Sequence, residues 1–212
     1  RIELMDPDKA EFAQDTPHRT LAEVMVGADV FLGLSAGGVL KAPVVATMAA
    51  NPLIFALATP SPEIMPEAVA EVRSDAIMAT GRSDYPNQVN NVLCFPYIFR
   101  GALDCGATTI TNEMEIAAVR AIAELAQAEQ SEVVAAAYAG VSLSFGPEYL
   151  IPKPFDPRLM MKIAPAVAQA AADSGVAIRP IADMAAYVER LQTFVYASGT
   201  AMRPIFALAK QA

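Results

Sequence analysis

Three short apolar segments recur along the first half of the chain, and they constrain its fold more than any other feature. They are Asp29–Ser35, Leu53–Ala58 and Asp75–Gly81, so their first residues lie 24 and 22 positions apart. Each segment runs into a turn rich in small or polar residues, as buried parallel strands do. Residues 43–51 and 66–73, between them, have the length of short helices. This alternation predicts an α/β fold with a parallel sheet.

After residue 91 the sequence pattern becomes helical. Asn112 with Glu115 is a candidate capping pair, and the apolar residues that follow it recur at helical spacing, which predicts a helix over 112–128. The recurring apolar residues are Ile116, Val119, Ile122 and Leu125. A second helix is predicted over 159–174, ended by Gly175, and Pro165 within it should either kink the helix or start a new one.

The remaining C-terminal part is predicted to combine a loop with two further helices. Residues 140–157 contain four prolines, too many for a central strand because proline has no N–H to donate, so we expect an ordered loop lying across the core. Asp183 is a candidate cap for an amphipathic helix. A last helical segment is predicted near residues 204–210.

Composition excludes several functional classes. The 212 residues carry 23 acidic and 15 basic side chains, a formal charge of −8, so a nucleic-acid partner is not expected. The longest weakly polar stretch, Val133–Phe145, has 13 residues, which is short of the roughly 18 needed to cross a membrane. Charged residues make up only 18% of the chain, below the roughly 25% usual in globular domains. We therefore expect a surface that a partner domain or subunit covers, and a homo-oligomer.

The small number of cysteine and histidine residues limits the disulfide, catalytic and metal sites that the chain can form. Cys94 and Cys105 are the two cysteines and His18 is the single histidine. This set matches neither a disulfide framework nor a Ser-His-Asp, Cys-His or multi-histidine metal site within one chain. We expect both thiols to be reduced fillers of the core, His18 to lie on the surface, and the protein to be cytoplasmic.

Three loops follow the predicted strands, at the edge where open α/β sheets bind ligands. Ser35–Gly38 is small enough for close approach to a dinucleotide, although a tight turn explains it too. Thr59–Glu63 is either a turn held by two prolines or a hydroxyl contact to a ligand. Asn87–Asn91 contains four amides, which suit a carboxamide or carboxylate, with helix capping as the alternative. Arg82 and Asp84 form either an internal ion pair or a ligand contact.

Several phrases of the sequence resemble bacterial malic enzymes. They are GADVFLGLSA at 27–36, IFALATPSPEI at 54–64, and ATGRSDYPNQVNN at 79–91, which continues into FPYIFRGA at 95–102. Two later phrases, YLIPKPFD at 149–156 and RPIA at 179–182, resemble the long form of the family, which continues into a phosphotransacetylase-like domain.

This resemblance implies oxidative decarboxylation of malate to pyruvate and carbon dioxide, with reduction of NADP or NAD. A Mg²⁺ or Mn²⁺ ion would polarise the C2 oxygen of the substrate, and a tyrosine and a lysine would transfer protons. In the family these catalytic residues and the metal ligands lie upstream of the matching phrases. We therefore expect no catalytic or metal-ligating residue in this chain, and we expect the missing N-terminal part of the enzyme as its partner. The alternative is a catalytically silent nucleotide-binding or assembly fragment.

The resemblance also assigns residues and domains. Asn91 and Thr59 match positions that contact substrate, while Ser35, Ala36 and Asn90 match positions that face the cofactor. Two positions depart from the family, which usually has asparagine where this chain has Thr59, and often has proline where it has Gly37.

The domain organisation follows from the same match. Residues 1–130 are expected to be the later part of a doubly wound, Rossmann-type NAD(P)-binding domain. Residues 131–212 are expected to be a helical C-terminal segment that packs on that domain and leads to a following one.

Overall fold

The three apolar segments form a parallel sheet in the computed structural model, which describes residues 5–129 and 143–195. The strands are β1 (Val30–Gly33), β2 (Leu53–Ala56) and β3 (Ile77–Thr80), and they lie side by side in the order β1-β2-β3. Val30 pairs with Leu53, and Leu53 pairs with Ile77, so the strands start level with one another. The predicted α/β class with a parallel sheet is confirmed.

Short helices precede and connect the strands. α1 (Pro7–Ala10) and α2 (Leu21–Val24) come before β1, α3 (Ala42–Val45) lies between β1 and β2, and α4 (Pro66–Ala70) lies between β2 and β3. α3 and α4 begin with a proline in the first turn, where its missing N–H costs no helical hydrogen bond. Both end earlier than the sequence predicts, because the residues after them make turn hydrogen bonds instead.

One face of the sheet is buried, and the opposite face is open along β1, half-buried along β2 and buried at Ala79 of β3. Alternate residues of β1 point to opposite sides: Phe31 is buried, while Val30 and Leu32 are 51% and 61% exposed, and Leu34, just after the strand, is 74% exposed. The buried face packs on a core made of Met25, Phe31, Leu40, Val45, Met48, Ile54, Ala56, Ile64 and Val69. Val30, Leu32 and Leu34 together leave an exposed apolar surface on the β1 side of the sheet.

A helical layer follows the sheet. A 3₁₀ turn (Asn91–Leu93) leads into α5 (Phe95–Asp104) and α6 (Asn112–Gln127). α7 (Arg158–Asp173) packs against both α5 and α6, and a further helix, α8, runs from residue 184 to 195, where the described residues end. These helices share a second core, whose larger members include Met114, Leu125, Leu159, Ile163, Tyr187 and Leu191.

The start and the buried face of α6 differ from the prediction. The cap is Thr111, whose hydroxyl accepts from the N–H of Met114 at 3.4 Å, and Asn112 is already the first helical residue. Ile116 and Val119 are 50% and 64% exposed, because the face toward α7 is built from smaller residues. Those residues are Ala118, Ala121 and Ala126, beside Met114 and Leu125. Small side chains let the axes of α6 and α7 approach closely.

The predicted helix over 159–174 is a single helix, so the expectation that a new one could start at Pro165 is wrong. Pro165 is buried inside α7. The packing of both faces of α7 outweighs the hydrogen bond that the proline removes. Gly175 adopts φ +72°, and the N–H of Val176 donates to the carbonyl of Ala171, which confirms the predicted C-terminal stop.

The proline-rich segment and the later helices largely follow the prediction. Residues 143–157 form an irregular loop in which Tyr149 is 2% exposed and Pro152 and Pro154 are buried. Asp183 caps α8 by accepting from the N–H of Ala186 at 2.9 Å. The helical segment predicted near 204–210 and the start of the loop at 140–142 lie outside the described residues.

Two further expectations are met. Cys105 is buried and Cys94 is half-buried, both as free thiols, and burial raises the pKa of each thiol above its usual value. His18 is exposed.

Across residues 5–129 and 143–195, none of the helices combines the length and the apolar character that a membrane span requires.

Candidate cofactor and substrate site

The loops that follow β1 and β2 are bound to each other at the carboxyl edge of the sheet. The N–H of Gly38 donates to the carbonyl of Pro62, and the N–H of Leu40 donates to that of Glu63, both at 3.0 Å. A Cβ on Gly37 would lie 2.9 Å from the Cβ of Ser61, so only glycine fits this approach without a shift. Gly37, at a position where the family often has proline, therefore lies where two backbone segments come into contact.

A buried carboxylate, that of Glu63, links the same two loops. Its Oε1 accepts from the N–H of Ser35 at 2.9 Å, and its Oε2 accepts from the N–H of Ala58 at 3.0 Å. The residue is 0% exposed. The carboxylate occupies the space beside Gly33, where a Cβ would lie 2.5 Å from Cδ. Sequence reasoning missed this role, although an isolated glycine within an apolar strand is a signal of such a close approach.

Two opposing effects act on the ionisation of Glu63. Burial raises its pKa, but hydrogen bonds from the backbone N–H groups of Ser35 and Ala58 lower it by more, so the pKa lies below its ordinary value. The carboxylate is therefore charged at neutral pH and holds both loops by charge-assisted hydrogen bonds.

The loop after β1 leaves backbone donors available. Ser35 and Ala36 are exposed, and the N–H of Ser35 is already used by Glu63. The N–H groups of Ala36 and Gly37 make no hydrogen bond to any of the described residues. Small, exposed residues with unpaired N–H groups at the carboxyl edge of a parallel sheet suit the phosphates of a dinucleotide.

Thr59 lies in the loop that follows β2, three residues beyond the strand. Its side chain is exposed, and its hydroxyl donates to the carbonyl of Leu57 at 3.4 Å, a long and weak hydrogen bond. A Cβ on Gly81 would lie 3.2 Å from this hydroxyl, which places the Thr59 side chain beside the turn that follows β3.

Two of the four amides in the third loop serve the fold. Asn87 is 3% exposed with φ +53°, and its amide bridges β3 to the proline-rich loop. Its Nδ2 donates to the carbonyls of Met78 (2.9 Å) and Pro147 (2.7 Å), and its Oδ1 accepts from the N–H of Leu150 (2.7 Å). Gln88 donates to the carbonyl of Gly81 at 3.4 Å.

Asn90 and Asn91, the last two amides, differ in how many of their side-chain polar atoms are hydrogen-bonded. The Oδ1 of Asn90 accepts from the N–H of Val92 at 3.0 Å and caps the 3₁₀ turn, the alternative that the sequence left open. Asn91 is exposed, and its side chain makes no hydrogen bond within residues 5–129 and 143–195. Asn91 therefore keeps both its donor and its acceptor available to a ligand.

Arg82 and Asp84 form an internal ion pair, one of the two alternatives that the sequence left open for them. Arg82 Nη2 lies 2.6 Å from Asp84 Oδ2, and its guanidinium also lies over the ring of Tyr85. The Tyr85 hydroxyl donates to Glu67 Oε1 at 2.5 Å, and this bond raises the pKa of Tyr85. These contacts hold the third loop against α4.

Metal ligands do not gather at this edge. Over the two described ranges, three or more histidine, cysteine or carboxylate side chains nowhere come together as a cation site would require. The carboxylate that joins the first two loops, Glu63, has both oxygens occupied by backbone donors. A divalent cation of the kind implied by the resemblance does not fit the residues seen here.

Comparisons with known proteins find similar proteins of one family. Residues 4–138 match the family described as malic enzyme, NAD binding domain. The chain is 64% identical to an NADP-dependent malic enzyme of Salmonella typhimurium over 98% of its length, and 63% identical to an NAD-dependent malic enzyme of Rhizobium meliloti over 100%. It spans 27% and 28% of those two proteins. A solved malic enzyme structure from Pyrococcus horikoshii superposes with a TM-score of 0.71 at 38% identity, covering 87% of this chain and 39% of that one.

Proposed function

The chain belongs to the malic enzyme family, within its NAD-binding domain, and from that premise we propose that it binds NAD or NADP and malate for oxidative decarboxylation to pyruvate and carbon dioxide. The observation that carries the proposal is the convergence of two loops at one sheet edge, joined by Glu63. One loop presents unpaired N–H groups and the other presents Thr59. The cofactor, when bound, would accept the hydride from C2 of malate.

Each predicted site residue has a role in this proposal. The Ser35–Ala36 loop supports the cofactor, and the free N–H groups of Ala36 and Gly37 donate to its phosphates. Asn90, held rigid by its cap to Val92, presents its remaining N–H donors toward the nicotinamide. Asn91 orients malate by bonding its hydroxyl or a carboxylate. Because both asparagines are neutral, they can orient these groups without changing the charge of the site.

Proton transfer and metal binding are assigned elsewhere in the enzyme. Since the chain spans only 27% and 28% of the two malic enzymes named above, we place the catalytic tyrosine and lysine and the ligands for Mg²⁺ or Mn²⁺ in the N-terminal part of those longer proteins. The apolar sheet face of Val30, Leu32 and Leu34 is proposed to pack against that part. We further propose a cytoplasmic homo-oligomer, in line with the low charge content.

The domain division remains a proposal as well. Residues 1–130 form the later part of the nucleotide-binding domain, and residues 131–212 form a helical segment that packs on it. The packing of α7 on α5 and α6 supports this arrangement. The boundary itself lies within residues 130–142, outside the described ranges.

A turnover assay tests the function. The full-length native enzyme, given malate, NAD or NADP and Mg²⁺ or Mn²⁺, is expected to form reduced nicotinamide and pyruvate in equal amounts. Residues 1–212 alone should form none, because the groups that transfer protons are assigned to another part. Turnover by residues 1–212 alone would overturn that assignment.

The catalytically silent alternative is favoured by one observation, that the described residues supply no cation site. In that case the full-length protein binds NAD or NADP without consuming malate. Binding measured by nucleotide fluorescence, together with the absence of pyruvate, would support this alternative over the enzyme.

Thr59 replaces the asparagine that the family usually has at this position, and this difference leads to a testable expectation. Thr59→Asn should lower the KM for malate or raise kcat roughly tenfold, because an amide adds a second polar end, and one hydrogen bond to a charged substrate is worth about 1.5 kcal/mol or more. Steady-state kinetics with malate as the varied substrate measures this change.

Thr59→Val is the matched control, since it keeps the branched shape and removes only the hydroxyl. If the hydroxyl retains part of the contact, this variant binds malate more weakly than the parent. Loss of activity in Thr59→Asn with an unchanged unfolding midpoint would show instead that the site has been rebuilt around threonine.

A further inference from the structure

Glu63 joins the two loops on which the proposed function places the cofactor and the substrate. Ser35, bonded to Oε1, precedes Ala36 in the cofactor loop. Ala58, bonded to Oε2, precedes Thr59 in the substrate loop. One carboxylate therefore fixes two backbone segments relative to each other, one that follows β1 and one that follows β2.

The surroundings of Glu63 leave it little freedom to move. It is 0% exposed, and its own carbonyl accepts from the N–H of Leu40 at 3.0 Å. The side chain lies against Gly33 and ends between the loops. If the carboxylate moved away, the N–H groups of Ser35 and Ala58 would lose their partner, which disfavours that movement.

We infer that Glu63 is a positioning residue, which fixes the Ser35–Ala36 backbone relative to Ala58–Thr59 so that cofactor and malate meet in one geometry. The inference rests on the proposed function, since it takes the ligands of the two loops from there. Glu63 acts through the loops, and its oxygens are occupied by backbone N–H groups. Its contribution is orientation, to which reaction rates are sensitive at the scale of 1 Å.

Glu63→Gln in the full-length enzyme is the direct test. Glutamine has nearly the same shape, but its NH₂ group would face a backbone N–H, so only one of the two loops can stay bonded. We expect kcat/KM for malate to fall roughly ten- to a hundredfold, as misorientation of reacting groups would cause.

The effect of one ligand on the affinity of the other distinguishes a positioning role of Glu63 from a purely structural role. The affinity of tartronate, a dicarboxylate with the C2 hydroxyl of malate, is measured by calorimetry with and without oxidised NAD or NADP. In the parent enzyme the two affinities should differ severalfold, because each ligand orders a loop that Glu63 connects to the other. In Glu63→Gln we expect their ratio to approach one.

Asp75→Asn is the matched control, because it weakens a similar contact at the opposite end of the same sheet. Asp75 Oδ2 accepts from the N–H of Asn51 at 2.7 Å, before β2, and the carboxylate also pairs with Arg73. This variant should lower the unfolding midpoint while the ligand coupling and the KM for malate stay at parent values.

The outcomes are distinguishable. Equal coupling in Glu63→Gln and the parent, or equal changes in Glu63→Gln and Asp75→Asn, overturns the inference. Failure of the parent itself to oxidise malate refutes the proposed function. Should Glu63→Gln not fold, Gly33→Ala displaces the same carboxylate while keeping every hydrogen-bonding group, and parent-like coupling in that variant also overturns the inference.

Discussion

Replacing Asn91 with alanine is expected to lower kcat/KM for malate by on the order of ten- to a thousandfold in the full-length enzyme. The side chain is exposed and makes no hydrogen bond within the described ranges, so its loss should fall on the ligand and not on the fold. A hydrogen bond to a charged substrate is worth roughly 1.5–3 kcal/mol, and misorientation adds to the loss. Steady-state kinetics and thermal unfolding of the same preparation measure both effects.

Asn112→Ala supplies the control for this experiment. Asn112 is also an exposed asparagine, at the first residue of α6 and outside the proposed site. We expect its kinetics to match those of the parent. If Asn91→Ala changes kcat/KM less than threefold, the substrate role of Asn91 is wrong.

The largest expected loss of stability comes from Gly101→Val. Gly101 is buried where α5 crosses α7, and a Cβ there would overlap the backbone carbonyl oxygen of Ala164 and lie 3.0 Å from the Cβ of Val167. Neither group is the end of a flexible side chain, so the helices must separate. We expect the free energy of unfolding to fall by about 3 kcal/mol, the upper part of the range for overpacked cores.

Urea unfolding of Gly101→Val beside Gly146→Ala checks this prediction. A Cβ on Gly146 would meet only the carbonyl oxygen of Ser144, at 3.9 Å, an ordinary contact. That control should change the free energy of unfolding by no more than about 0.5 kcal/mol. Equal effects of the two substitutions would show that the α5–α7 crossing has room to adjust.

The sheet and the order of its elements could be predicted from the sequence because each strand carries its own local signal. An apolar run that ends in a polar turn needs no partner to be recognised, whereas the register in which β1, β2 and β3 pair is seen only in the structure. The buried face of α6 could not be predicted in this way. Ile116 and Val119 are more apolar than Ala118 and Ala121, and only the close approach of α7 explains why the alanines lie inside.

The site was predictable to the extent that its side chains act alone. The sequence singles out the amide run, but Asn87 and Asn91 look alike in it. They differ in the hydrogen-bond partners that the fold brings to them from about 60 positions away. Asn87 bonds Pro147 and Leu150, while Asn91 has no such partner in the described ranges. The role of Glu63 was harder to predict, since both of its hydrogen bonds go to backbone groups and its one sequence signal is the isolated Gly33 beside it.

The contact between Gly33 and Glu63 limits the order in which this domain can evolve. A side chain at position 33 would press on the carboxylate of Glu63 and on the ring of Phe31, so that change is strongly disfavoured while Glu63 is present. The reverse path leaves the N–H groups of Ser35 and Ala58 without the acceptor that Glu63 provides. The two positions are thus epistatic, and in descendants of this sequence they are expected to change as a pair or not at all.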